Sequence, residues 1–357
     1  MPFISVSCPS GTHDFWYSIS TPNSTSTESI DPDLSHCPVF ESQFTDPELR
    51  QFNLLAVDLL GSGATKGAIG DRRYTPEETA ADLQRVLDAL NMPPLHIMGL
   101  SIGGTIALNL ASTHPQRVLS LTICSPLTPT EPEEVVAGRE QVFGRWAEVF
   151  SEDEAADEEE MRKRHEVLNE ITLGATELLH NYVKTPLETA SWIYSTLKNI
   201  QIYSGSPENL QNAKHTSIRW FTDREPLSSE SLAKISCPIT IIYCTSDVGY
   251  PLENAQDLER TLQEAGLKTK LYQVPGPHYG TLAGAEEINP ILRDTVLAAS
   301  KTYSPRGLPK PDFAPSGKMR TPWTRFLMRY GYHPDGTPSH FVHESWFTMP
   351  RDDIFAD

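Results

Sequence analysis

The ten residues LHIMGLSIGG, Leu95 to Gly104, constrain this chain more than any other stretch. The apolar run Leu95–Met98 reads as a strand, and the segment from Ile102 to about Ser112 reads as a helix. Between them, Gly99-Leu100-Ser101-Ile102-Gly103 fits the pattern G-x-S-x-G. A strand that turns into a helix within so few residues forces the central serine into strained backbone angles. It also needs small neighbours, because a Cβ there would meet the adjacent strand or helix. Gly99 and Gly103 are therefore the expected structural glycines, and Gly104 adds close helix packing. Such a turn exposes the Ser101 hydroxyl at the carboxyl end of a strand and at a helix N-terminus, where negative charge is stabilised.

The flanking pattern supplies the scaffold. Phe3–Cys8 and Asp14–Ser20 alternate apolar and polar residues around Pro9-Ser10-Gly11, which predicts a β-hairpin. Asn53–Asp58, NLLAVD, is a continuous apolar run, the mark of a strand buried on both faces. Thr75 caps a helix from Pro76 to about Asn91, and Arg117–Cys124 is another strand. Strand and helix alternate here, which predicts parallel strands with crossover helices. From Glu131 to about Ile200 the chain reads as helical and charged. Its acidic run SEDEAADEEEMRKRH suits a solvated helix start, acid first and base after. Ile235–Cys244 returns to a buried strand, Pro251–Ala265 to a helix, Thr269–Val274 to a strand and Glu286–Ala299 to a closing helix. Residues 303–357 carry proline, aromatics and charge without period, as expected of a loosely structured tail packed on the domain.

Composition narrows the partners. A net charge of −18 argues against nucleic acid or an anionic membrane surface, since each would need a basic face. The N-terminus has neither a basic start nor a sustained apolar run, and no stretch approaches a membrane span. Five scattered cysteines suit reduced thiols, so the expected location is cytoplasmic, and the Asn23-Ser24-Thr25 sequon is discounted. GSGATKG lacks the spacing of a phosphate loop, the cysteines are not spaced for zinc, and no H-x-x-x-H pair occurs on a helix. No metal or cofactor is expected.

With the elbow, the NLLAVDLLGSGAT segment and the later strands in place, the chain resembles the α/β-hydrolase superfamily, most closely small fungal-type hydrolases related to its epoxide-hydrolase-like and esterase-like members. The resemblance covers Phe52–Ser125 and Ile235–Ala299. It implies an α/β core at residues 1–127 and 236–301, a helical cap at 128–235 and a C-terminal tail at 302–357. The family's order of catalytic residues is serine, acid, histidine. CTSDVGYP after the strand Ile239–Cys244 resembles the family's acid segment and places Asp247, which could otherwise be an Asx-turn or helix cap. VPGPHYG places His278 in a loop directly after Leu271–Val274. His96, inside a strand, and His114, at a helix end, are poorer candidates. The implied chemistry is a Ser101–His278–Asp247 relay acting on a carboxylic ester, lactone or similar small acyl substrate, with the backbone N–H of Ile102 as one oxyanion donor. A serine nucleophile disfavours epoxide or haloalkane opening through an enzyme ester.

One part of that machine has no counterpart. The family places a core strand, with a loop giving the second oxyanion donor, between the hairpin and NLLAVD. Here the interval is SIDPDLSHCPVFESQFTDPELRQF, whose only apolar run is Pro38-Val39-Phe40, and no glycine occurs between Gly11 and Gly61. The pattern calls for about a dozen more residues near Leu34–Cys37. Three readings stay open: a segment lost by wrong joining of coding segments, a variant with a weak site, or an irregular strand at SHCPVF with Ser35-His36 as a substitute loop. A non-catalytic ligand-binding member of the fold is the alternative function, and a proline-iminopeptidase-type peptidase a weaker one.

Overall fold

The computed structural model describes residues 3–22, 38–150, 185–191, 207–300, 321 and 323–334. Strands β1 (Phe3–Cys8) and β2 (Gly11–Ser20) form the expected hairpin, with Phe3 opposite Trp16. Pro38–Phe40 form a 3-10 turn leading into α1 (Glu41–Thr45), so this apolar triplet is helical, not an irregular strand. The fixed φ of Pro38 suits the first position of a helical turn. Ser35 and His36 lie outside the described residues.

Strand β3 (Leu54–Val57) pairs antiparallel with β2, Tyr17 opposite Val57 and Ser20 opposite Leu54. Helix α2 (Pro76–Ala89) starts at a capping box, in which the Thr75 N–H donates to Glu78 Oε2 at 2.8 Å. Strand β4 (Leu95–Leu100), helix α3 (Ile102–Thr113) and strand β5 (Val118–Cys124) follow. Helices α4 (Glu133–Phe150) and α5 (Pro207–Lys214) precede β6 (Ile239–Cys244), α6 (Leu252–Glu264), β7 (Thr269–Val274), α7 (Ala285–Ala299) and the short α8 (Thr324–Arg329). Between 128 and 235 the described residues include no strand. The acidic run at 151–165 lies outside the described residues.

The strands make two sheets. One is three-stranded and antiparallel, in the order β1-β2-β3, and the other is four-stranded and parallel, in the order β4-β5-β6-β7. The single, mostly parallel sheet expected from the alternation is thus divided between β3 and β4. Among the described residues, no strand pairs with the second edge of either. The helical layer is continuous across this point, because α2 packs on α3. The division matches the interval before β3, which has no apolar run long enough for a buried strand.

Burial follows the same line. All six residues of β6 are buried, whereas only Ala56 is buried in β3 and only Gly99 and Leu100 in β4. NLLAVD is therefore a half-buried strand rather than one covered on both faces.

Within the expected tail, residues 321 and 323–334 pack on the domain, and Thr324–Arg329 is a short helix rather than loose chain. Trp323 and Leu327 are both 0% exposed and share a cluster with Trp16, Phe44 and Ala190. The Trp323 and Phe44 rings meet edge to face at 4.9 Å. Beneath them Glu41 is fully buried, accepting from Thr324 Oγ1 at 3.0 Å and from Thr321 Oγ1. Burial pushes the Glu41 carboxyl up to about 7, and the two threonine hydroxyls pull it part of the way back.

Candidate active site

Loops at the carboxyl ends of β4, β6 and β7 converge on one point. The first is the elbow. Ser101 has φ +55° and ψ −116°, a conformation that a side-chain-bearing residue rarely adopts. Its N–H donates to Cys124 O at 2.9 Å, which ties the turn to the neighbouring strand. Gly99 is required sterically, since a Cβ there would lie 2.3 Å from the carbonyl carbon of Gly103. At Gly104 a Cβ would meet Ile123 Cγ2 at 2.6 Å. The expectation for Gly103 needs correction, because a Cβ there meets nothing within 4 Å. What constrains the turn near Gly103 is its backbone, against which Gly99 packs. Gly103 instead lines the cavity beside Ser101.

The structure brings the three expected side chains together. The Ser101 hydroxyl lies 2.9 Å from His278 Nε2, and His278 Nδ1 lies 2.7 Å from Asp247 Oδ2. The imidazole and the carboxylate are 3% and 1% exposed, so this pair sits in a low-dielectric setting. The second carboxylate oxygen, Asp247 Oδ1, accepts the N–H groups of Gly249 at 3.0 Å and Tyr250 at 3.1 Å. One Asp247 oxygen makes the Asx-turn and the other faces the histidine. With Nδ1–H donating to Asp247, Nε2 is left as the acceptor for the Ser101 hydroxyl. Ile102 is the first residue of α3, so its N–H is among the helix-start amides with no intrahelical acceptor.

Other residues support this arrangement without having been singled out by motif. Ser125, directly after β5, is fully buried at φ +50°. Its hydroxyl donates to the His278 carbonyl at 2.6 Å and its N–H to Ile242 O at 2.9 Å, clamping the histidine loop onto the sheet. Tyr250 stacks at a tilt 5.4 Å from the His278 ring and donates its hydroxyl to Glu131 Oε1 at 3.0 Å. Glu131 in turn binds Arg224 at 2.8 Å, both side chains 1% exposed, and Arg139 at 2.8 Å. The Arg139 guanidinium lies 3.4 Å from the Phe221 ring centre and lines the same cavity as Ser101 and His278. Burial and the Glu131 carboxylate push the Tyr250 hydroxyl up to about 12, which keeps it a proton donor.

The poorer histidine candidates are engaged elsewhere. His96 bridges Ser120 and Ser300, each at 2.8 Å, and burial lowers its pKa; His114 bonds Thr113. Cys8, Cys124, Cys237 and Cys244 are free thiols. Among the described residues no cluster of His, Cys, Asp and Glu could hold a metal, and no helix is long and apolar enough to cross a membrane.

Residues 20–276 match the family model described as alpha/beta hydrolase fold. The chain belongs to the alpha/beta hydrolase family. In overall fold it is similar to a thermophilic esterase from Thermogutta terrifontis, with TM-score 0.58 and 16% identity, covering 84% of this chain and 99% of that one. It is also similar to an esterase from Exiguobacterium antarcticum, with TM-score 0.57 and 18% identity over 82% of this chain and 98% of that one. In sequence, 70 residues are 43% identical to the Azorhizobium caulinodans protein named "Putative carbamate hydrolase RutD", covering 20% of this chain and 26% of the relative. The match spans less than a third of the length of such relatives.

Proposed function

We propose that this protein is a serine hydrolase that cleaves a small carboxylic ester, lactone or related acyl compound through an acyl-enzyme. The observation that carries the reading is the unbroken relay from Ser101 Oγ through His278 to Asp247, at 2.9 and 2.7 Å. His278 Nε2 takes the proton as Ser101 Oγ attacks the acyl carbon. Asp247 holds the imidazole in the required tautomer and stabilises the imidazolium that forms. The Ile102 N–H faces the developing oxyanion at the start of α3. His278 then delivers its proton to the leaving group, and water repeats the sequence to free the acid. The strain stored at Ser101 and the clamp from Ser125 fix the reacting groups before substrate arrives. The described residues between 128 and 235 act as a cap over this site. From that segment Arg139 and Phe221 supply one charged and one apolar wall of the cavity. The esterase neighbours and the carbamate-hydrolase-like segment support acyl chemistry of this kind.

A fluorophosphonate probe tests the reading on the purified chain. Labelling that vanishes in Ser101→Ala is the expected result. A folded wild type that resists labelling overturns hydrolysis in favour of the non-catalytic alternative, a ligand-binding member of the fold.

A further inference from the structure

Two arginines serve one buried carboxylate near His278. Glu131 Oε2 pairs with Arg224 at 2.8 Å, and both side chains are 1% exposed. Arg224 also donates to the Thr128 and Pro129 carbonyls, at 2.8 and 3.2 Å. That buried cation already balances the Glu131 charge. Arg139 is the second cation, held by its Nε–H on Glu131 Oε1 at 2.8 Å. Unlike Arg224 it is 27% exposed, and it lines the cavity that holds Ser101 and His278. The three side chains together carry one more positive charge than negative. The accessible part of that charge is the Arg139 guanidinium.

The guanidinium is fixed in place. Glu131 holds one edge, and the Phe221 ring lies against its face at 3.4 Å. Its charge reaches the two rings that flank the imidazole. Tyr250 and Tyr279 lie 5.4 and 5.6 Å from the His278 ring, centre to centre. Burial raises both hydroxyls, and the Arg139 charge pulls each part of the way back. The other charged groups along the cavity stand elsewhere or are engaged. Lys268 and Lys270 lie at the start of β7, the end away from His278. Asp58 is buried in its own turn, where it accepts the Ala64 N–H at 2.9 Å, and Asp294 pairs with Arg293 on α7. Asp247 gives one oxygen to His278 and the other to two N–H groups. An arginine fork matches the two oxygens of a planar carboxylate, whereas a lysine supplies only a point charge. We propose that Arg139 recognises a carboxylate on the substrate, so that the acyl compounds cleaved at Ser101 are esters or lactones with a free carboxylate at their far end. Cleavage of such a compound rests on the hydrolase reading; the carboxylate seat rests on Arg139 and its fixed setting.

Matched esters test the proposal. The p-nitrophenyl monoesters of succinic, glutaric and adipic acid carry the anion. Neutral esters of the same length carry an isopropyl group where those have the carboxylate. The wild type should prefer at least one anionic ester over its neutral counterpart by about tenfold or more in kcat/KM. Arg139→Gln should erase that preference, and Arg139→Lys should restore part of it. Glu131 keeps Arg224 and Tyr250 in both variants, so the local packing stays supported. A wild type that cleaves both kinds equally, or a preference that survives in Arg139→Gln, overturns the proposal. Calorimetry gives a second test that does not depend on turnover. Glutarate should bind the Ser101→Ala chain, and Arg139→Gln on that background should weaken the binding at least about tenfold. If no ester is cleaved but glutarate binds through Arg139, the carboxylate seat stands and the hydrolase reading falls. If neutral esters are cleaved and glutarate does not bind, the hydrolase reading stands and the carboxylate seat falls.

Discussion

The two sides of the Ser101 strand differ in how they are held. Toward β5 and β6, the strands are paired: β6 is buried along its whole length, β5 at every residue but Leu119, and Ser125 binds the loop that carries His278. Toward β3, the same strand faces a cavity, and its first four residues are only partly covered. One side therefore fixes the relay by backbone pairing, while the other borders a cavity. The lesson is that three side chains can be held in register while the described strands beside them divide into two sheets. The elements that set the relay, β4 to β7 and their loops, all lie on the completed side.

Substitutions can break or sharpen that contrast. The largest effect belongs to the relay itself. Ser101→Ala should lower any esterase activity by at least about 10⁴-fold without changing the melting temperature, as checked with a p-nitrophenyl ester and thermal unfolding. Next comes the elbow. Gly99→Ala, whose new Cβ would overlap the Gly103 backbone at 2.3 Å, should cost more than about 3 kcal/mol. Gly103→Ala should cost under about 1 kcal/mol and act on substrate fit instead, so denaturant unfolding separates the two. Across the sheet, Ile241→Ala in buried β6 should cost about 3–4 kcal/mol, and Ile97→Ala on the open edge about 1. Equal losses would mean that the two sides are equally packed.

The last test concerns pH. Glu41 holds its proton up to about 7 in the folded chain, against an ordinary value near 4.5. Between those values the unfolded chain gives up the proton and the folded chain keeps it, so stability falls as pH rises through the window and levels off above it. The loss from this group is roughly 3 kcal/mol. Urea unfolding at pH 4.5, 6 and 8 should show it, and Glu41→Gln should flatten the profile.

Much of the site could be read from residue order alone. A strand–turn–helix around one serine, an aspartate after the next buried strand but one and a histidine after the last are local patterns. Each is anchored to an apolar run whose period is visible. The interval before β3 was equally legible as one without an apolar run long enough for a buried strand. What escaped depends on pairings over long separations that no period marks. Ser125 is an ordinary serine until its hydroxyl is seen on His278, 153 residues away. Glu131, Arg139 and Tyr250 come from separate segments and gain a role only where they meet. The steric burden fell on Gly99 and Gly104 rather than Gly103 because helix phase, not proximity to the serine, decides which Cβ faces the strand. The docking of Trp323 was hidden for a related reason: a tail rich in proline and aromatics has no face to predict.

That docking has a consequence for how the chain is made. Trp16 shares its packing with Trp323 and Leu327, which follow it by roughly 300 residues in the chain. A chain emerging from the ribosome displays its first hairpin long before the residues that cover it exist. The antiparallel sheet cannot reach its final stability during synthesis. It stays exposed, or is sheltered by chaperones, until Trp323 and Leu327 have been made and released.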